Sequence, residues 1–239
     1  MCKQSLKYSP SAINRCLNNY NVHLTGDSTL RQWFFSLTDA LNVTIPGGND
    51  KTKMIYKYSD SKININLTFT FHPLSYHRSF AVDIAQTRFE ADVLLNLPRH
   101  TCNHVVVIGP WAHFITWPWR AYVEWLTNIK SAIIAARQRC PDIKVVIKSP
   151  HPVENQQTSR SMMGVDILFW DMKRKMRDIF EGNDVSFVDT WYMVQVYPEP
   201  NDLHMPFEVM DQEVALFLSY ICPSSQLYRA SQKVSHEIQ

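Results

Sequence analysis

The chain has 239 residues, of which 45% are hydrophobic and 19% are charged, a composition typical of a globular protein with a sizeable core. Its formal net charge of +2 is too small to indicate nucleic acid or an anionic membrane as a partner. No apolar run reaches the roughly 18 residues of a membrane span, and the first residues lack the apolar core of a secretory signal peptide.

The first half of the chain contains one strand–helix unit followed by two strands. Residues 1–20 are polar and are predicted to form an irregular lead-in. A strand is predicted at about 21–25, and an amphipathic helix with apolar residues at helical spacing follows at about 29–41. Strands are then predicted at about 54–58 and 63–71, the second with apolar residues alternating with Asn and Thr.

The second half alternates helices with buried strands. Helices are predicted at about 79–97, 119–138, 165–181 and 207–221, and strands at about 105–109, 143–148 and 185–189. This alternation is typical of an α/β protein with a three-layer, doubly wound, mostly parallel five-stranded sheet and helices on both faces. We expect one domain over 21–222 and a flexible tail over 223–239.

Chemically useful residues follow the predicted strands. Because ligands of such sheets bind outside the carboxyl ends of the strands, these positions indicate a shared site. They are Ser28, the loop 109–113, Ser149 to His151, Asp189 and the loop 201–204.

Ser28 lies between a strand and a helix, in Gly26-Asp27-Ser28. It could be an N-cap, a common role for serine, or a nucleophile with its own backbone N–H as an oxyanion donor. Of the nine histidines, His204 has the position that suits a general base, because the fold would return its loop to the first strand. Asp202 is the favoured orienting acid and Asp189 the alternative.

Further contacts are predicted around this pair. Gly109 and His113 are candidate oxyanion donors, and Trp111, with Trp117 and Trp119, could form a platform for a sugar ring or simply pack in the core. Arg31, one turn into the helix, could meet an anionic substrate. Lys148 and His151 are further candidate substrate contacts. The histidines and cysteines lack zinc-ligand spacing, and no dinucleotide or triphosphate motif is present, so no metal or bound cofactor is predicted.

Two features favour the secretory pathway. Asn42-Val43-Thr44 and Asn66-Leu67-Thr68 fit the N-glycosylation pattern. Five widely spaced cysteines are typical of a protein with disulfide bonds, the odd cysteine pairing with sequence absent here. We interpret the chain as the C-terminal domain of a longer secretory protein or as a short relative of one.

Several segments resemble the C-terminal domain of the NXPE family (neurexophilin and PC-esterase domain proteins), which is similar to the SGNH (GDSL-type) esterase and acyltransferase superfamily. They are Gly-Asp-Ser-Thr-Leu-Arg-Gln-Trp at 26–33, Ile-Gly-Pro-Trp-Ala-His-Phe at 108–114, Leu-His-Met-Pro at 203–206 and Phe-Leu-Ser-Tyr-Ile-Cys at 217–222. The resemblance extends from about Cys16 to Cys222.

The resemblance implies a flavodoxin-like SGNH fold in the Golgi lumen or outside the cell. It also implies O-acyl transfer or ester hydrolysis on a glycan or glycoprotein, with sialic acid or another cell-surface sugar as acceptor. A transferase would use an acetyl donor such as acetyl-CoA.

Three positions depart from the superfamily pattern. Asn201 stands where the acid of Asp-x-x-His is expected, Trp111 stands where an asparagine oxyanion donor is expected, and no glycine follows the second parallel strand. A catalytically inactive glycan- or protein-binding module is therefore the alternative function.

Overall fold

The computed structural model describes residues 8–50, 52–74, 83–99, 101–153, 165–199 and 202–222. The predicted tail 223–239, the first seven residues of the lead-in and Asn201 lie outside these ranges. The helices are α1 (Pro10–Leu17), α2 (Ser28–Ala40), α3 (Glu90–Leu95), α4 (Trp119–Arg139), α5 (Val165–Phe180), α6 (Trp191–Gln195) and α7 (Phe207–Ile221). The strands are β1 (Asn21–Gly26), β2 (Ile55–Asp60), β3 (Ile65–Phe71), β4 (His104–Gly109), β5 (Lys144–Lys148) and β6 (Ser186–Val188).

The strands form a six-stranded sheet in the order β2-β3-β1-β4-β5-β6. Only β2 is antiparallel among these strands, and it pairs with β3 at the edge of the sheet. The predicted α/β fold is confirmed, and the hairpin strand β2 brings the number of strands to six. Because β3 and β4 flank β1 on opposite sides, the chain changes direction across the sheet at the carboxyl end of β1. Doubly wound sheets place their sites at such a switch point.

Two hydrophobic cores cover the faces of the sheet. Successive residues of β4 point to opposite faces, so Val105 and Val107 belong to one core and Val106 and Ile108 to the other. The first core contains the apolar residues of α1, α2 and α7, and the second contains those of α3, α4 and α5. All six residues of β4 are buried, as expected for a central parallel strand.

The lead-in contains a helix that the sequence analysis did not predict. Ser9 caps α1 by accepting a hydrogen bond from the Ala12 N–H, and Pro10 occupies the first helical position. Ile13 and Leu17 are buried in the first core. The segment was expected to be irregular because one short helix contributes too few apolar positions to show a clear period.

The helix predicted at 79–97 is shorter than expected. Within its described part, a 3-10 turn at Ile84–Gln86 precedes α3, and Asn96 ends α3. Residues 79–82 of that prediction lie outside the described residues.

Two disulfide bonds connect distant parts of the chain. Cys16 in α1 is bonded to Cys222 at the end of α7, and Cys102 before β4 is bonded to Cys140 after α4. Such bonds are typical of oxidising compartments. Cys2 lies outside the described residues. Within the described ranges, each helix is too short or too polar to cross a bilayer.

Candidate active site

Ser28 occupies the turn between β1 and α2. β1 ends at Gly26, Asp27 caps α2, and Ser28 is the first residue of the helix, with 2% of its surface exposed. Gly26 has φ +152°, a backbone conformation that residues other than glycine rarely adopt. Its backbone lies against the carbonyl group of Gly109. The tight turn therefore fixes the serine at the carboxyl end of a central strand.

The Asp27 carboxylate fastens this turn to the loop after β4. Its Oδ1 accepts hydrogen bonds from the Thr29 N–H (2.9 Å) and hydroxyl (2.7 Å), and its Oδ2 accepts from the N–H groups of Trp111 (3.3 Å) and Ala112 (2.9 Å). Burial opposes ionisation of Asp27, but electrostatic interaction with His113 and His72 and these hydrogen bonds lower its pKa below the ordinary value. Asp27 is thus a structural anion and is not free to act as a base.

His204 reaches Ser28 from the other end of the chain. Its Nε2 lies 2.7 Å from Ser28 Oγ, although 176 residues separate the two in sequence. The neighbours of His204 are anchored on both sides, because Leu203 packs against one core and Met205 is buried in the other. An imidazole nitrogen at this distance can accept the hydroxyl proton of a serine nucleophile.

The two candidate acids have different surroundings. Asp202 is half-buried and lies two residues before His204 in the sequence. Its Oδ1 accepts a hydrogen bond from the Leu203 N–H at 2.6 Å. Asp189 is bound to α5, with its Oδ2 2.8 Å from Lys173 Nζ and 3.1 Å from Arg177 Nη2. These ion pairs make Asp189 the weaker candidate, and the role of Asp202 in orienting His204 stays a prediction.

The backbone N–H groups near Ser28 differ in whether they already donate a hydrogen bond within the protein. The Ser28 N–H lies in the first turn of α2, where no helix carbonyl is available to it. The neighbouring N–H groups of Trp111 and Ala112 are bound to Asp27, and the His72 N–H donates to the Gly26 carbonyl at 2.9 Å. The Ser28 N–H is the donor that the helix geometry favours, and the role of Gly109 stays a prediction.

His113 belongs to a buried hydrogen-bond network with Leu74, His72 and Glu90. Its Nδ1 lies 2.6 Å from the Leu74 carbonyl oxygen and 2.8 Å from His72 Nε2, and His72 Nδ1 lies 3.1 Å from Glu90 Oε1. Because a carbonyl oxygen only accepts, Nδ1 must carry the proton of neutral His113. Its Nε2 is then an acceptor in the neutral ring and a donor in the protonated ring, so the role of His113 as an oxyanion donor stays a prediction.

Two of the predicted substrate contacts are enclosed. Trp111 is fully buried, edge to face with His151 and Phe169, so it packs in the core and is not a platform for a sugar ring. Lys148 is also fully buried, with its Nζ 3.5 Å from Glu213 Oε2, so it is an internal ion pair and does not meet substrate at the surface. Both corrections arise because a position at or just after the end of a strand does not reveal in which direction the side chain points.

His151 lies beneath the His204 loop. Burial, the main cause, and the nearby Lys148 lower the pKa of His151 well below its ordinary value, while Asp27 and the backbone of Asp202 and Leu203 oppose this shift. His151 is therefore a neutral, fully buried ring, and its predicted contact with substrate is not supported by its position.

Arg31 is the predicted substrate contact that keeps a small exposed area. It lies in the first turn of α2 with 8% of its surface exposed, and its guanidinium is 5.9 Å from the ring of Phe71. Burial lowers the pKa of Arg31, while Tyr56 and Asp27 oppose this shift. In the described part of the chain no carboxylate forms an ion pair with this guanidinium.

Sequence reasoning missed the residues that connect α2 to the His204 loop and α7. Gln32 Nε2 donates to the Met205 carbonyl at 2.8 Å, and Trp33 Nε1 donates to Glu213 Oε2 at 2.6 Å. Gln32 lies four residues after Ser28, so helical periodicity could have placed it on the face of the nucleophile.

The fold and the Ser28–His204 contact define the class of protein as one with the α/β fold of GDSL-type hydrolases. The structure is similar to a GDSL-like lipase from Bacteroides thetaiotaomicron (14% identity, 87% of this chain and 93% of that chain covered, TM-score 0.54). It is also similar to a putative acylhydrolase from Bacteroides fragilis (14% identity, 88% and 93% covered, TM-score 0.53) and to a carbohydrate acetylesterase from Sinorhizobium meliloti (9% identity, 84% and 98% covered, TM-score 0.50).

The particular family follows from the sequence. Residues 1–222 match the family model described as NXPE family member 4-like, C-terminal domain. The chain belongs to the NXPE family, which confirms the resemblance found in the sequence.

Proposed function

We propose that this domain is a serine-dependent O-acyl transferase or esterase that acts on glycans of the secretory pathway through an acyl-Ser28 intermediate. The observation that carries the proposal is the 2.7 Å contact between Ser28 Oγ and His204 Nε2 at the switch point of the sheet. The acyl group would be acetyl, delivered by a donor such as acetyl-CoA if the enzyme is a transferase.

The reaction would proceed in two acyl-transfer steps. His204 Nε2 accepts the Ser28 hydroxyl proton while Oγ bonds to the acyl carbonyl carbon, and the carbonyl electron pair moves to its oxygen, beside the Ser28 N–H. When the tetrahedral intermediate collapses, the bond to the donor oxygen or sulfur breaks and the leaving group takes the proton from His204. A sugar hydroxyl or water then attacks acyl-Ser28 in the same way, which releases Ser28.

Arg31 supports an anionic sugar as the acceptor. Its guanidinium is a charged donor one helical turn from the nucleophile, and a carboxylate is the ligand that its planar fork binds best. A sialylated glycan would supply such a carboxylate. The likeness to a carbohydrate acetylesterase supports the broader proposal of an acyl group on a sugar.

A binding module that lacks catalysis is the second candidate. The observation that favours it is the use of the Trp111, Ala112 and His72 N–H groups within the protein, since these N–H groups are then unavailable to an oxyanion. Such a protein would bind glycans at the Ser28–His204 site without becoming acylated.

Labelling with a fluorophosphonate probe separates the two candidates. The probe phosphonylates an activated serine, so we expect covalent labelling of the wild-type domain and its loss in Ser28→Ala and His204→Gln. Ser36→Ala is the matched control, because Ser36 is another buried serine of α2 and its hydroxyl donates to Asp211 Oδ1 instead of a histidine.

A folded wild-type domain that resists labelling would contradict the acyl-serine mechanism. If labelling occurs, incubation with acetyl-CoA and a sialylated glycan, followed by mass spectrometry of the glycan, distinguishes transfer from hydrolysis. Transfer adds an acetyl group to the glycan, whereas an esterase removes one from a pre-acetylated glycan.

A further inference from the structure

One stripe of α2 forms a ladder of polar contacts with the segment 204–211. Ser28, Gln32 and Ser36 are spaced four residues apart, so they lie on one face of the helix. Their contacts follow the same order along the other segment. Ser28 Oγ contacts His204 Nε2 (2.7 Å), Gln32 Nε2 donates to the Met205 carbonyl (2.8 Å), and Ser36 Oγ donates to Asp211 Oδ1 (2.8 Å).

A buried ion pair fixes α7 against the same helix. The Glu213 carboxylate accepts a hydrogen bond from Trp33 Nε1 at 2.6 Å, and its Oε2 lies 3.5 Å from Lys148 Nζ. Glu213 and Lys148 are both fully buried, and Lys148 Nζ lies 5.5 Å from the centre of the Trp33 ring. One carboxylate therefore connects α2, α7 and β5, and it anchors the helix that directly follows the His204 segment.

The middle contact of the ladder acts on the backbone next to His204. The Met205 carbonyl belongs to the residue that follows the histidine, and the Met205 side chain is buried, whereas His204 itself is exposed. A hydrogen bond to this carbonyl fixes the Met205–Pro206 peptide plane, which is joined at the Met205 Cα to the peptide plane that carries the His204 backbone. Without it, packing of the Met205 side chain would have to hold the position of the imidazole.

We propose that Gln32 is a positioning residue for His204, holding the imidazole at hydrogen-bond distance from Ser28 through the Met205 carbonyl, with the Glu213 carboxylate as the fixed point behind it. The inference rests on the proposed acyl-serine function, and it explains why an amide side chain occupies the position one turn after the nucleophile. Among the described hydrogen bonds, that of Gln32 goes to the Met205 carbonyl and not to the nucleophile or the base, so its effect on the reaction is geometric.

The test compares Gln32→Leu with Ser36→Ala. Leucine keeps most of the volume of glutamine and removes the donor, whereas Ser36→Ala removes a contact of the same ladder one turn further from the base. We expect Ser28 of Gln32→Leu to react with the fluorophosphonate probe about 10²-fold more slowly than Ser28 of the wild type, because a displacement of about 1 Å has an effect of this size. Ser36→Ala should keep the wild-type rate, and thermal unfolding followed by circular dichroism verifies that each variant folds.

Gln32→Glu provides a readout that a purely structural role would not change. A carboxylate cannot donate to the Met205 carbonyl, but a protonated carboxyl group can, so the labelling rate of Gln32→Glu relative to wild type should rise as the pH falls from about 7 to about 5. A ratio that is independent of pH, or equal rates for Gln32→Leu and Ser36→Ala, would overturn the proposal.

Crystal structures of the same variants test the inference without activity. In Gln32→Leu, we expect His204 Nε2 to move out of hydrogen-bond distance from Ser28 Oγ, and in Ser36→Ala we expect the contact to persist. An unmoved His204 in Gln32→Leu overturns the inference even if the wild type is labelled. Absence of labelling in the wild type contradicts the proposed function, and the crystallographic distances still decide the role of Gln32.

Discussion

Gly26 and Gly109 lie side by side at the carboxyl ends of β1 and β4, so close that a Cβ atom on Gly26 would be 2.7 Å from the Gly109 carbonyl oxygen. The contact is between backbones, so no side-chain rotation can relieve it. The Gly-Asp-Ser turn therefore needs its glycine for two reasons, the close approach and the φ of +152°.

We predict that Gly26→Ala loses more than about 2 kcal/mol of unfolding free energy, because it combines a backbone clash with an unfavourable φ. Gly182→Ala is the control for φ alone, since Gly182 has φ +74° and a Cβ there would have no neighbour within 4 Å. It should lose about 1 kcal/mol. Urea unfolding measures both, and equal losses would show that the approach to Gly109 is unimportant.

We predict that Arg31→Gln selectively weakens the reaction with an anionic acceptor. Loss of one charged hydrogen-bond donor should lower kcat/KM for a sialylated glycan by about 10- to 100-fold and leave kcat/KM for the neutral, desialylated glycan unchanged. Arg120→Gln is the control, because Arg120 is exposed on α4 and pairs with Glu124. A parallel fall for both glycans would contradict a role of Arg31 in selecting the charge.

We predict an N-glycan on Asn42 and none on Asn66 in protein expressed through the secretory pathway. Asn42 is exposed in the turn after α2, and Thr44 beside it is also exposed. Asn66 lies within β3, where its side chain donates to Asn21 Oδ1 at 2.9 Å and accepts from Ser59 Oγ at 2.6 Å. A glycan is attached to Asn66 Nδ2, so it would have to occupy the position of the hydrogen bond to Asn21.

The glycan is detected by the mass lost on enzymatic deglycosylation. Asn42→Gln should abolish this loss and Asn66→Gln should leave it unchanged. The reverse pattern would show that the sheet position of Asn66 does not exclude the modification.

We predict that stability falls as the pH drops below about 6.5, with His23 as one cause. Burial and then the neighbouring His104 lower the pKa of His23 to about 4. Above its unfolded pKa of about 6.5 the ring is neutral in both states, so it has no effect on stability there. Between about 6.5 and 4 the unfolded chain binds the proton and the folded chain does not, so unfolding becomes more favourable.

One such group changes the free energy of unfolding by at most about 1.4 kcal/mol per pH unit. His151, whose pKa is also lowered by burial, acts in the same direction. Urea unfolding of the wild type and of His23→Gln at several pH values isolates the contribution of His23. An equally steep decline in the variant would assign the pH dependence to other groups.

The sequence predicted the elements with strong periodicity. The bounds of α2, α4, α5 and α7 differ from the predicted ranges by a residue or so, and the buried run of β4 was recognisable as a central parallel strand. α1 and α6, with eight and five residues, were missed, because elements of this length show too few apolar positions. The strand β2 was predicted from its sequence, but its antiparallel pairing with β3 at the edge of the sheet was decided by the tertiary structure.

For the site, local patterns decided which residues stand at strand ends, and the topology of alternating strands and helices was enough to predict that His204 returns to Ser28. The direction of each side chain was set only by tertiary packing. Trp111 follows β4 and Lys148 is the last residue of β5, yet both point into the protein, where Phe169 and Glu213 complete their surroundings. Gln32 acquires its role only because the Met205 carbonyl lies opposite it. Periodicity is a local property of the chain, whereas partners across 173 residues are fixed by how the two cores pack.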